Sequence, residues 1–142
     1  MTVIALDVGS KRIGIAISDP SEGFALPLTV VEHTNLRADI DAIVAVASEY
    51  SATEIVVGDP IRMTGERGIA ADRIDHFVEA LARRFSGTIH RVDERLTTAQ
   101  ATKTLIGADV SRAKRKTVVD KLAASLILEM FLSRRKARES AT

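Results

Sequence analysis

Two apolar runs joined by a short turn constrain this chain most: Val3-Ile4-Ala5-Leu6-Asp7-Val8-Gly9, then Arg12-Ile13-Gly14-Ile15-Ala16-Ile17-Ser18-Asp19. A nearly continuous apolar run with one carboxylate inside it reads as a strand buried on both faces, where a charge is tolerated only beside something cationic. The period of two puts Asp7 on the face of Val3 and Ala5. In the second run it sorts Ile13, Ile15 and Ile17 to one face and Gly14, Ala16 and Ser18 to the other, leaving a small-residue face that something can approach closely. Gly9-Ser10-Lys11 is turn-like, so the two runs predict an antiparallel hairpin with Asp7 near the turn.

Further along, Phe24–Val31 reads as a third strand, and Pro27 puts it at a sheet edge. Leu36, Ile40, Ile43, Val44 and Ala47 recur at helical spacing behind Thr34 or Asn35 as N-cap. Glu54–Pro60 reads as a fourth strand. Ala70, Ile74, Phe77, Leu81 and Phe85 lie along a second helix that stops at Gly87, and Thr88–Glu94 is a fifth strand. Thr97-Thr98-Ala99-Gln100 has capping-box spacing and opens a third helix to Gly107. A polar, basic loop is expected from Ala108 to Lys116. The last helix, with Val119, Leu122, Ala123, Leu126, Ile127 and Met130, should be largely buried, with Asp120 in its first turn on the side of Ala123, Ala124 and Ile127. This order predicts an α/β fold: a mixed five-stranded sheet, three antiparallel strands then two parallel, with helices on both faces.

A chain of 142 residues suits one domain, here 1–142, with a basic tail from about residue 134 that could be disordered. Lack of cysteine removes disulfides, thiol catalysis and cysteine-bound zinc. With one Tyr and no Trp, base stacking can be only a minor binding device. No secretory signal or membrane-length apolar run is evident, so the expected location is cytoplasmic, with no membrane partner. The net charge is +1 but unevenly spread. Arg112, Lys114, Arg115, Lys116 and Lys121 form one basic cluster, and Arg134, Arg135, Lys136 and Arg138 another. Each reads either as a face for a polyanion or as a solvated loop and helix end.

In open α/β sheets functional groups gather at the carboxyl ends of the parallel strands. Asp7, Asp59 and the Asp93-Glu94 pair fall at such ends, and Asp120 begins a closely docked helix. Carboxylates brought together stay ionised around a divalent cation. Hard oxygen donors without His or Cys in ligand spacing point to Mg²⁺ or Mn²⁺, which suits phosphodiester cleavage. The alternative is that these acids cap helices and pair with nearby Arg and Lys.

Leu6-Asp7-Val8-Gly9-Ser10-Lys11-Arg12-Ile13-Gly14, Val56-Val57-Gly58 with Pro60, Asp93-Glu94-Arg95-Leu96-Thr97-Thr98, and Lys114-Arg115-Lys116 leading to Val119-Asp120-Lys121-Leu122-Ala123-Ala124 occur in this order. Together they resemble the YqgF/RuvX family, ribonuclease-H-like proteins related to Holliday-junction resolvases and regarded as nucleases for the precursor of small-subunit ribosomal RNA. The resemblance implies a ribonuclease-H-like fold and Asp7, Glu94 and Asp120 as catalytic metal ligands for Mg²⁺ or Mn²⁺. It also implies a role in ribosome maturation through processing of the 5′ end of that precursor. The nucleic-acid contacts expected are Arg112, Lys114, Arg115 and Lys116, with Lys11 and Arg12 as weaker candidates. Pre-rRNA is the favoured partner and branched DNA the second, for a monomer or weak homodimer.

Asp59 departs from the pattern, in which an apolar residue is usual. It reads as a solvent-facing turn residue in preference to an outer carboxylate of the site. Arg62 replaces a commoner small polar residue and would bind phosphate or pair with an acid. Alternation forbids Asp93 and Glu94 from sharing a face. The resemblance selects Glu94, leaving Asp93 a structural role. His33, His76 and His90 are widely separated and read as surface or packing residues. Rival readings are a Holliday-junction-type DNA resolvase, a non-catalytic RNA-binding assembly factor, and an ATPase suggested by the phosphate-loop look of Asp7-Val8-Gly9-Ser10.

Overall fold

Alternation along the first two strands decides how the layers stack. The computed structural model describes residues 2–19, 24–59, 69–93 and 112–141; side chains at 69–71, 112–120 and 140–141 lie outside that description. The elements are β1 (Thr2–Val8), β2 (Arg12–Ser18), β3 (Ala25–Glu32), α1 (Leu36–Glu49), β4 (Ala52–Asp59), α2 (Ile69–Ala82), β5 (Thr88–Asp93) and α3 (Arg112–Ala141). The strands form one sheet in the order β3-β2-β1-β4-β5. β1 and β2 are the expected hairpin, with Asp7 opposite Gly14, and β2 pairs antiparallel with β3, whereas β1–β4 and β4–β5 are parallel. The Gly9 amide closes the turn onto the Arg12 carbonyl at 2.9 Å. Pro27 lies on edge strand β3, where the register slips between Ile15 and Ala16, so its missing amide costs the ladder little.

The two faces of the sheet carry separate cores. Ile4, Leu6, Ile13, Ile15, Ile55 and Val57 pack with Ile40 and Ile43 of α1 and Ile74, Phe77 and Leu81 of α2. Val3, Ala5, Ala16, Val56 and Val92 pack with Ala123, Ala124, Ile127, Leu128 and Phe131 of α3. The small-residue face of β2 is therefore approached by α3. Ser18 at the end of that face accepts the Val3 amide at 2.9 Å, where the β1–β4 register shifts.

Local chemistry explains the start of α1. Asn35 is the N-cap, its Oδ1 accepting the Ala38 amide at 2.9 Å. Asp39, buried in the first turn, accepts the Thr34 amide at 3.1 Å through Oδ1 and bonds His33 Nδ1 through Oδ2.

α3 is longer than its apolar pattern indicates. Residues 112–116, expected in a loop, are helical, and the tail expected from residue 134 continues the same helix to Ala141. The apolar period marks only the middle of α3, and its basic ends are made of good helix formers without an apolar stripe. The helix expected over 97–107, the loop over 108–111 and Arg62 lie outside the described residues. Among the described residues no helix is long and apolar enough to cross a membrane.

Candidate functional site

Asp7 sits at the carboxyl end of β1 on the α3 face and is 4% exposed. Its neighbours on that face are glycines. Gly14 lies opposite on β2, and Gly58 lies beside it on β4, one residue beyond the Leu6–Val57 pair. A Cβ on Gly58 would stand 2.6 Å from Ile127 Cδ1, so glycine there lets α3 reach the sheet beside Asp7.

Two contacts orient α3. Ile127 meets Gly58 near the carboxyl end of β4, and Arg135 grips Glu54 near its amino end, so α3 runs antiparallel to β4. The amino-terminal half of α3 therefore lies toward the strand ends where Asp7 is found. That half carries the backbone positions of Arg112, Lys114, Arg115, Lys116 and Asp120.

Asp59 differs from both readings made of it. It ends β4, is 7% exposed, and pairs with Arg91 Nη2 at 3.2 Å; Arg91 also reaches Asp75 of α2 at 2.8 Å. Asp59 therefore faces α2, away from Asp7, and is neither a solvent-facing turn residue nor part of an acidic site on the α3 face. Asp93 is level with Asp59, and Val92 before it belongs to the α3-side core, so Asp93 also lies on the α2 face. Of the expected phosphate contacts, Lys11 is exposed in the hairpin turn. Arg12, on Asp7's face by alternation, is half-buried with Nε 3.7 Å from Glu32 Oε1 on β3.

Glu94 and the side chain of Asp120 lie outside the described residues, as do the side chains of Arg112, Lys114, Arg115 and Lys116. Among the described residues no three His, Asp or Glu side chains form a group that could hold a metal ion.

A polar cluster at the opposite end of the sheet escaped the sequence reading. Arg135 donates to both oxygens of Glu54, Nη1 to Oε2 at 2.9 Å and Nη2 to Oε1 at 2.5 Å. His90 Nε2 lies 2.9 Å from Oε1, and the Phe131 ring packs 4.7 Å from His90 and 4.5 Å from the guanidinium. The Arg135 fork holds the Glu54 carboxyl below the usual range; burial opposes this and His90 adds to it. These partners are 81 residues apart, and no local pattern joins them.

Residues 1–134 match the model of the family described as "RuvX: Holliday junction resolvase". The chain is 45% identical over 137 residues to a Thermoanaerobacter pseudethanolicus protein named "Putative pre-16S rRNA nuclease", covering 96% of this chain and 99% of that one. A Myxococcus xanthus protein of the same name is 43% identical over 132 residues, covering 93% and 87%. In fold it is similar to T. thermophilus RuvC, solved in complex with Holliday junction substrate, with a TM-score of 0.60 at 15% identity over 96% of each chain.

Proposed function

Because the chain belongs to the RuvX family and is a nuclease, we propose that it uses Mg²⁺ or Mn²⁺ to hydrolyse the precursor of small-subunit ribosomal RNA near its 5′ end. The observation that carries this reading is the Asp7 carboxylate, buried on the α3 face at the carboxyl end of β1 between Gly14 and Gly58. Such a site suits a hard cation: the donor is a carboxylate oxygen, and the Gly14 and Gly58 positions beside it carry no side chains.

Glu94 and Asp120 complete the proposed ligand set. Two features support them. Asp93 faces α2, which takes it out of contention and leaves Glu94 as the acid of that pair for the site. Asp120 belongs to the half of α3 directed toward the same strand ends, and the helical period sets it on the stripe of Ala124 and Ile127. When bound, the cation supplies the Lewis acidity that activates water and stabilises the leaving oxygen. Arg112, Lys114, Arg115 and Lys116, on the first turns of α3, together with Lys11, hold the phosphate backbone, and the acids fix where the scissile phosphate rests.

The test is cleavage of 5′-labelled precursor ribosomal RNA and of a four-way DNA junction by purified protein with Mn²⁺. Wild type should cut the RNA, and Asp7→Asn and Glu94→Gln should lose more than about a hundredfold in rate. Equal cutting by Asp7→Asn would overturn the assignment. The family description favours a second substrate, and preferential cutting of the junction would establish a resolvase.

A further inference from the structure

The face opposite Asp7 carries a groove that the hydrolytic site does not use. A cavity of about 180 Å³ opens between the hairpin turn, the start of α1 and α2. Its apolar lining is Val8, Leu36 and the covered edges of Ile13 and Phe77, with Leu36 the most exposed of these, and Ser10, His33, Arg73 and His76 stand on its wall. Among the described residues the one carboxylate in that wall is Asp39, which is 3% exposed and already engaged by His33 and the Thr34 amide. Arg73 and His76, exposed on α2, have no ion-pair or hydrogen-bond partner among the described residues. Asp72 precedes Arg73 in sequence but points about 100° away around the helix.

A second cavity, of about 240 Å³, meets the first at Leu36 and continues between α1 and α2 past Arg37, Arg83 and Arg84. Arg84 is paired with Asp41 at 2.7 Å and Arg83 with Glu79 at 3.1 Å, while Arg37 has no such partner among the described residues. The groove thus offers two guanidinium groups without an ion-pair partner among the described residues, Arg73 and Arg37, one in each cavity. A fixed positive charge above an apolar floor suits an anion attached to a flat, weakly polar ring. Two such stations in a row suit a chain of them better than a single one.

The groove begins where the proposed cleavage site ends. Val8 lines the first cavity, while Asp7, its neighbour on β1, faces the other way. A strand crossing the hairpin turn, where Lys11 is exposed, would pass from one face to the other. We propose that the α1–α2 groove binds the single-stranded flank of the nucleic-acid substrate, with phosphates on Arg73 and Arg37 and a base against Leu36 and Val8. The inference rests on the nuclease reading for its choice of polyanion, and its test is a binding measurement that requires no cleavage.

The probe is a 5′-fluorescein single-stranded RNA oligomer, titrated by fluorescence polarisation with the full chain across 50–300 mM salt. Arg37→Ala and Arg73→Ala should each lower the magnitude of the log K against log salt slope by about 0.7. Each should weaken binding about fourfold at 0.15 M salt, and the double variant about fourteenfold. Lys136→Ala, an exposed cation on α3, should leave the slope unchanged. All are surface substitutions, so melting temperatures should stay close to wild type. An unchanged slope in the double variant overturns the proposal, as does an equal drop in Lys136→Ala. AMP competing as tightly as the oligomer overturns it in favour of a mononucleotide pocket. If wild type cuts nothing yet the slopes fall as stated, the catalytic reading fails and the groove stands.

Discussion

Replacing Glu54 with Gln tests what holds α3 in register against the sheet. The carboxylate accepts a two-pronged bond from Arg135 and a third contact from His90; the Glu54 and Arg135 side chains are 14% and 25% exposed. Breaking a fully buried ion pair costs about 3–5 kcal/mol and an exposed one about 0–1. A pair exposed to this extent, with Gln keeping one acceptor, falls between, at about 2 kcal/mol. An unfolding entropy of about 2.1 cal/mol/K per residue over 142 residues converts this to a fall of about 7 °C in Tm at pH 7. The sign with pH follows from the lowered carboxyl. Its stabilising contribution is complete above the unfolded value of 4.5 and is lost as pH falls through the lower folded value. Thermal melts of wild type and E54Q, followed by circular dichroism, should therefore differ by about 7 °C at neutral pH and converge below pH 4.5. Adding Arg135→Gln to E54Q should cost less than the two single changes summed, because the groups act as a unit. An E54Q protein melting within 1 °C of wild type at pH 7, or one whose deficit persists undiminished at pH 3, would refute the reasoning.

Other perturbations address the remaining joints. Gly58→Ala puts a methyl 2.6 Å from Ile127 Cδ1 and should cost about 1–3 kcal/mol in denaturant titration, with much of it recovered by adding Ile127→Val, which removes that atom. Asn35→Ala removes the N-cap bond to the Ala38 amide and should cost about 1 kcal/mol, a fall of about 3 °C in Tm. Mg²⁺ or Mn²⁺ at about a hundred times its dissociation constant should stabilise wild type by about 2.7 kcal/mol, and Asp7→Asn should abolish most of that gain in a thermal-shift assay.

Wherever a short-range period reports burial, the fold was legible in the sequence. The β1–β2 hairpin, the face of Asp7 and the small-residue face of β2 follow from alternation, and α1 with its Asn35 cap follows from a 3.6-residue stripe behind a side chain suited to the cap. The edge position of β3 followed from Pro27. Of the candidate site, the buried place of Asp7 near the hairpin turn was legible in the same way.

Asp59 shows where that reasoning stops. A carboxylate beside a proline looks like a turn, and its burial depends on Arg91, which reaches it from the next parallel strand while also gripping Asp75. The first turns of α3 were missed because Arg112–Lys116 are polar and basic and write no apolar stripe into the sequence. The sequence by itself determined which residues share a face, because side-chain direction repeats every two or 3.6 residues whatever surrounds the segment. Only the tertiary structure decided which distant charges meet, Arg135 with Glu54 and Arg91 with Asp59, because an ion pair is set by the separation of two groups in space, and packing brings strand and helix together across 81 residues of chain.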